Sequence, residues 1–123
     1  MSTCQLKNFS TIPYFNFAVY RGYDLTFIVE ALDRSTGQPY DLTGCTAYLT
    51  ACKVGSTTPA FVLTDTDGQI VIGGTTGEIE ITVPGAKTEG VTDEQLAYDI
   101  VVVDPLSVKL SISRGIVTLN PVA

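Results

Sequence analysis

Apolar and polar residues alternate with a period of two along several short stretches of the chain. Ile79, Ile81 and Val83 oppose Glu80 and Thr82, and Val108, Leu110 and Ile112 oppose Lys109, Ser111 and Ser113. Successive side chains of a strand point to opposite faces, so each set predicts a strand with one face in a core and the other in water. Leu25, Phe27, Val29 and Ala31 alternate with Thr26, Ile28 and Glu30; Cys45, Ala47, Leu49 and Ala51 alternate with Thr46, Tyr48, Thr50 and Cys52. These two predict strands with more apolar outer faces. Tyr98 to Val103 is apolar on both faces, which predicts a central strand covered on both sides or lying under a neighbouring subunit.

Gly, Pro and Asp punctuation separates these segments, at Gly22, Gly37, Gly44, Gly55, Asp67-Gly68, Gly73-Gly74, Gly85, Gly90, Asp104-Pro105 and Gly115. Many short strands at such spacing predict an all-β sandwich or barrel. One short helix is expected near 92–97, where Thr92 as N-cap and Gln95 three residues on form a capping-box pattern. The first residues, 1–10, read as a polar N-terminal arm, with Pro13 marking where it meets the first strand, and 11–123 as a single β-domain.

Composition narrows the function. The 123 residues allow one domain, which buries about two-thirds of its unfolded surface and so supports a core without metals or disulfides. Charged residues are only 16% of the chain against ~25% in typical domains, which marks some uncharged surface for a partner. The net charge of −6, without a basic stretch, argues against nucleic acid, whose binding draws on clustered Lys and Arg. The longest aliphatic run, Ile100 to Val103, is far short of the ~20 residues a membrane helix needs. Residues 1–9 do not read as a secretory signal, which predicts a chain retained in the cytosol that made it.

There is no histidine, so Ser–His, Cys–His and His-based zinc chemistry are excluded. The three cysteines, Cys4, Cys45 and Cys52, form no Cys-x-x-Cys pair. They read as reduced thiols, with Cys45 or Cys52 a small buried apolar group. Cys4, in the polar arm, is the candidate for an inter-subunit disulfide.

Asp65-Thr66-Asp67-Gly68 resembles the middle of a calcium loop, but setting Gly68 at the sixth position puts Leu63 and Gly74 where acids are required, so a turn between strands is expected. Glu78 and Glu80 share one strand face and are read as solvated. Gly73, Gly74 and Gly77 lack phosphate-loop spacing. No catalytic residue, metal site or cofactor is expected. The sharpest local feature is Tyr14, Phe15, Phe17, Tyr20 and Tyr23, five of the eleven aromatic residues within ten positions. Phe15, Phe17 and Val19 are expected to face the core, and Tyr14, Ala18 and Tyr20 the opposite side. Tyr14, Tyr20 and Tyr23 are accordingly the candidate interface residues, and clustered rings also allow a carbohydrate-binding module as the alternative function.

Arg21-Gly22-Tyr23-Asp24-Leu25-Thr26-Phe27, then Gly37-Gln38-Pro39-Tyr40-Asp41-Leu42-Thr43-Gly44-Cys45-Thr46, Gly77-Glu78-Ile79-Glu80-Ile81, Leu96-Ala97-Tyr98-Asp99-Ile100 and Gly115-Ile116-Val117-Thr118-Leu119-Asn120-Pro121 follow one another in order. This set resembles the small immunoglobulin-like β-sandwich domains of tailed-bacteriophage virion proteins, such as the N-terminal domain of baseplate upper proteins and related tail or neck attachment proteins. The resemblance implies an antiparallel immunoglobulin-like sandwich and a non-enzymatic structural role in the virion. It implies assembly in the host cytoplasm, homo-oligomeric packing and other virion proteins as partners.

Overall fold

A computed structural model describes residues 9–10, 15–33, 35–92 and 94–121. Ten strands dominate: β1 (Phe9–Ser10), β2 (Phe17–Tyr20), β3 (Leu25–Glu30), β4 (Leu32–Asp33), β5 (Thr46–Lys53), β6 (Pro59–Thr64), β7 (Ile70–Ile72), β8 (Glu78–Val83), β9 (Gln95–Val103) and β10 (Lys109–Asn120). A 3-10 turn at Gly74–Thr76 and one helical turn, α1 (Gly85–Thr88), complete the described elements. The chain is all-β in class. A five-stranded sheet has the order β2-β10-β9-β5-β6, a three-stranded sheet β3-β8-β7, and β1 pairs with β4.

The alternation seen in the sequence sets which face is buried. Along β5, Ala47, Leu49 and Ala51 are buried while Thr46 is exposed and Tyr48, Thr50 and Cys52 are half-buried. Along β8, Ile79, Ile81 and Val83 are buried and Glu78 and Glu80 exposed. The inner faces of the two larger sheets meet in one cluster that includes Leu49, Leu63, Ile79, Ile81, Leu96, Ile100 and Val102, all fully enclosed. Each such side chain contributes about 1.5–3 kcal/mol from leaving water, so this cluster is the main stabilising term.

Aromatic rings bridge the sheets at one end. Phe17 on β2 lies with its ring centroid 4.7 Å from Phe27 on β3 and 5.0 Å from Tyr98 on β9, and Phe15 stacks 6.3 Å from Phe17. Phe17 and Val19 face inward as expected, whereas Phe15 stays at the margin, 36% exposed. The β2–β3 turn is held by α1: Gly22 N–H donates to the buried Thr88 hydroxyl at 3.0 Å, and Gly85 N–H donates to the Asp24 carboxylate at 2.7 Å.

Four expectations are corrected. The helix near 92–97 is absent: Gln95, Leu96 and Ala97 open β9, because Leu96 continues the inward series of Tyr98, Ile100 and Val102 and its neighbours pair with both β5 and β10. Long-range pairing outweighs a local cap, and the helical turn lies earlier, at Gly85–Thr88. The sheet is not wholly antiparallel, since β2 runs parallel to β10 with Phe17 opposite Val117 and Tyr20 opposite Asn120. Ser113, expected on the wet face, is buried, because the β9–β10 register shifts between Ser111 and Ser113 and the extra residue reverses the phase of everything after it. Val108, expected in the core, is 51% exposed because it lies in the turn before β10 begins.

Candidate interaction surface

Three kinds of exposed apolar feature stand out. At the end of β2, Tyr20 and Tyr23 are 57% and 58% exposed, with ring centroids 6.2 Å apart. The turn between them is closed by Tyr23 N–H donating to the Tyr20 carbonyl at 3.0 Å, and Gly22 takes the positive φ of 83° that this turn requires. The turn thus brings the two exposed rings side by side. Beside them is a surface cavity of about 340 Å³ lined by Arg21, Thr92, Glu94, Thr118, Leu119, Asn120 and Pro121. The Arg21 guanidinium donates to the Thr92 carbonyl at 3.3 Å.

The second feature is the outer face of the five-stranded sheet. Register places Val62, Thr50, Asp99 and Arg114 side by side across four strands, and Thr64, Tyr48, Val101 and Ser111 in the next row. Tyr48, Val62, Val101, Val103 and Ile116 are half-buried there. The charges at its centre are tied together, Ser111 donating to the Asp99 carboxylate and the Arg114 guanidinium lying 3.4 Å from the Ser111 hydroxyl. The face is therefore mostly apolar and small-polar. Tyr98 to Val103 matches the expected central strand, between β10 and β5.

Third, the β9–β10 turn projects Leu106, 81% exposed, and Val108. The Asp104 carboxylate accepts from the N–H groups of Leu106 and Val108, both at 2.9 Å, and fixes the turn. On the other sheet, Ile28 and Val71 are exposed on either side of Glu80, and Glu30 lies opposite Glu78.

Of the residues singled out from sequence, Tyr20 and Tyr23 come together on the surface, while Cys4 and Tyr14 lie outside the described residues. Cys45 is disulfide-bonded and Cys52 is a half-buried free thiol. This corrects the expectation of reduced thiols at Cys45, since spacing speaks only to cysteines near one another along the chain. Asp65 to Gly68 forms a turn, Gly68 N–H donating to the Asp65 carbonyl at 3.1 Å, and Glu78 and Glu80 are solvated. The Leu106 projection and the cavity have no counterpart in the sequence pattern. Asp104-Pro105 marks the turn, but nothing local says that Leu106 points outward.

Among the described residues no three His, Cys, Asp or Glu side chains are grouped to hold a metal, and no helix is long and apolar enough to cross a membrane. Burial raises the Tyr98 hydroxyl from the ordinary 10.0, against a smaller opposing effect of Ser113. It lies in the core, away from these surfaces. No family model matches the chain, and no curated protein matches it by sequence.

Proposed function

We propose that the chain is a non-enzymatic structural subunit of a tailed-bacteriophage virion, an immunoglobulin-like sandwich that packs in several copies against other virion proteins. The observation that carries this reading is the exposure of large apolar side chains, Tyr20, Tyr23 and Leu106, on turns held by backbone hydrogen bonds. Immobilised apolar groups lose little conformational entropy on contact, which suits them to permanent interfaces.

The immunoglobulin-like assignment is supported by the parallel pairing of an early strand with the last one, and by the facing sheets β2-β10-β9-β5-β6 and β3-β8-β7. Tyr98 adds to it by bonding back to the main chain near the start of the fold, as tyrosines do at sandwich corners. The disulfide at Cys45 fits a particle exposed to an oxidising medium. The test is to look for the chain in purified particles with a specific antibody and to measure the mass of the isolated protein. Detection in particles together with self-association supports the reading; absence from particles and a strictly monomeric protein would overturn it.

The alternative, a carbohydrate-binding module, draws on Tyr20 and Tyr23 beside a cavity lined by Arg21, Glu94 and Asn120. Phe15, Phe17 and Phe27 pack on one another, which leaves the two tyrosines as the stacking platform. Saturable binding on a glycan array, abolished by Tyr20→Ala, would favour this alternative.

A further inference from the structure

We infer that two copies of this chain pair face to face through the outer side of the five-stranded sheet, related by a two-fold axis that sets Asp99 of each copy against Arg114 of the other. This pairing rests on the reading of the chain as a subunit that packs in several copies, and names the face that does so. Its basis is the contrast between the outer faces of the two sheets.

On the five-stranded sheet, Asp99 is the middle residue of β9, which is itself the middle strand. Around it the register brings Tyr48, Val62, Val101, Val103 and Ile116 outward, all half-buried within the single chain. Among the described residues, the charged groups on this face are Asp99, Arg114 and Lys109. The three-stranded sheet is the reverse, with Glu30, Glu78 and Glu80 exposed on its outer face beside Ile28 and Val71. A chain of net charge −6 thus has one broad side with a single acid, and pairing by that side avoids like-charge repulsion between copies. Stacked sheets lie ~10 Å apart, so in such a pair the two acidic faces are roughly 30 Å from each other, well beyond the ~8 Å screening length of physiological salt.

Area separates the two faces as well. β5 has 8 residues and β9 has 9; at ~3.3 Å per residue and ~4.8 Å between strands, the five-stranded face measures roughly 600 Å² per copy. The pair then covers about 1,200 Å², the lower bound for a stable, specific interface. The three-stranded face, where β7 has 3 residues, offers roughly a third of that area per copy, and closing it would bury three carboxylates without a cation.

Asp99 decides the geometry. It lies opposite Arg114 in the β9–β10 register, its carboxylate accepts from the Ser111 hydroxyl, and the Arg114 guanidinium is 3.4 Å from that hydroxyl. Closing the face takes the carboxylate out of water, which requires a cation against it. A two-fold axis running along the strands between β9 and β10 lays β9 of one copy over β10 of the other, so Asp99 meets Arg114 once on each side of the axis. The contact is isologous and closes as a dimer.

The test is sedimentation of the full chain over a concentration series, read alongside the rate at which excess iodoacetamide alkylates Cys52, a free thiol on this same face opposite Ala97. The wild type is expected to pass from monomer to dimer, and the Cys52 rate to fall in step. Arg114→Glu and Asp99→Arg should each weaken the dimer roughly tenfold or more, since either one sets like charges against each other. An equimolar mixture of the two should recover it as a one-to-one dimer, because every facing pair is then of opposite sign. Val71→Lys, on the other sheet, should leave the dimer as strong as before. If circular dichroism shows that a charge variant misfolds, the Cys52 rate of the unaltered chain decides. A dimer that survives both reversals, a mixture without recovery, or a Cys52 rate that stays constant while dimers form overturns this face and leaves packing in several copies standing. A wild type monomeric throughout overturns the dimer alone if the chain is found in particles, and both readings if it is not.

Discussion

Tyr98 on β9 donates its hydroxyl hydrogen bond to the main-chain carbonyl of Phe15, 83 residues earlier in the chain. The bond ties the entry to β2 onto the middle of the five-stranded sheet, where the Tyr98 ring also packs on Phe17. Tyr98→Phe keeps the ring and removes the donor, leaving the Phe15 carbonyl without this partner. A loss of about 1–2 kcal/mol is expected in urea denaturation, with the sheet intact by circular dichroism. A midpoint equal to that of the wild type would mean that ring packing alone holds this corner.

The same hydroxyl makes stability depend on pH at the alkaline end. Burial raises it above 10.0 in the folded protein, while the unfolded chain ionises near ~10. Above that pH the unfolded state releases the proton first and is favoured, so the contribution of Tyr98 is complete below ~10 and is lost as pH climbs through the folded value. Wild type should therefore lose stability more steeply than Tyr98→Phe as pH rises above ~10 in urea titrations. Parallel curves for the two proteins would remove Tyr98 from the account.

Much of the scaffold around this corner is legible in the sequence. Strict alternation from Cys45 to Cys52 is a local signal of one buried face, and every position there takes its expected side. Asp41 and Gly44 also act as their residue types predict, the Asp41 carboxylate accepting from Thr43 N–H at 2.9 Å and Gly44 taking a φ of 88°. Local grammar fails where a distant partner decides. Thr92 and Gln95 have the pattern of a helix start, but Leu96 is claimed by the core between β5 and β10. The extra residue in β10 is set by the register of β9, so the phase change at Ser113 has no mark in the sequence. Tyr20 is legible as an exposed ring because alternation puts it opposite Phe17 and Val19, and Tyr23 is exposed beside it. The cavity is not, because Arg21, Glu94 and Thr118 meet only when β2, β9 and β10 are side by side.

Gly115 is required by the approach of the parallel strand. A Cβ there would collide with the Phe15 carbonyl oxygen and would lie 2.7 Å from the Asn16 side-chain oxygen, the atom that accepts Ile116 N–H at 2.9 Å. Gly115→Ala should push the β2 entry away and cost about 1–3 kcal/mol. Gly90, where an added methyl group would meet nothing within 4 Å, is the control, and Gly90→Ala should be neutral or slightly stabilising. Thermal melts of the two variants in parallel read the difference, and equal melting temperatures would contradict the steric account.

The two described cysteines should react differently. Cys52 is a free, half-buried thiol on the outer face of β5, and Cys45 is disulfide-bonded. Iodoacetamide applied to the unreduced native protein should alkylate Cys52 slowly and spare Cys45, and prior reduction in denaturant should expose both. Mass spectrometry of tryptic peptides distinguishes the sites. Alkylation of Cys45 without reductant would show that the bond is not formed in the isolated protein.

Ser107 is the one described non-glycine residue with a positive φ, at 66°. The left-handed region costs an L-residue about 1–2 kcal/mol, from which the greater entropy of a glycine in the unfolded chain must be subtracted. Ser107→Gly is therefore expected to stabilise the protein by about 0.5–1 kcal/mol in denaturant titrations, and Ser107→Val, with a β-branched side chain, to destabilise it by at least as much. The bonds from Asp104 to Leu106 and Val108 do not involve the Ser107 side chain, so the turn keeps its hydrogen bonds in the glycine variant. If Ser107→Gly instead lowers stability, the serine hydroxyl contributes more to the turn than its backbone strain removes, and the turn depends on that side chain as well as on Asp104.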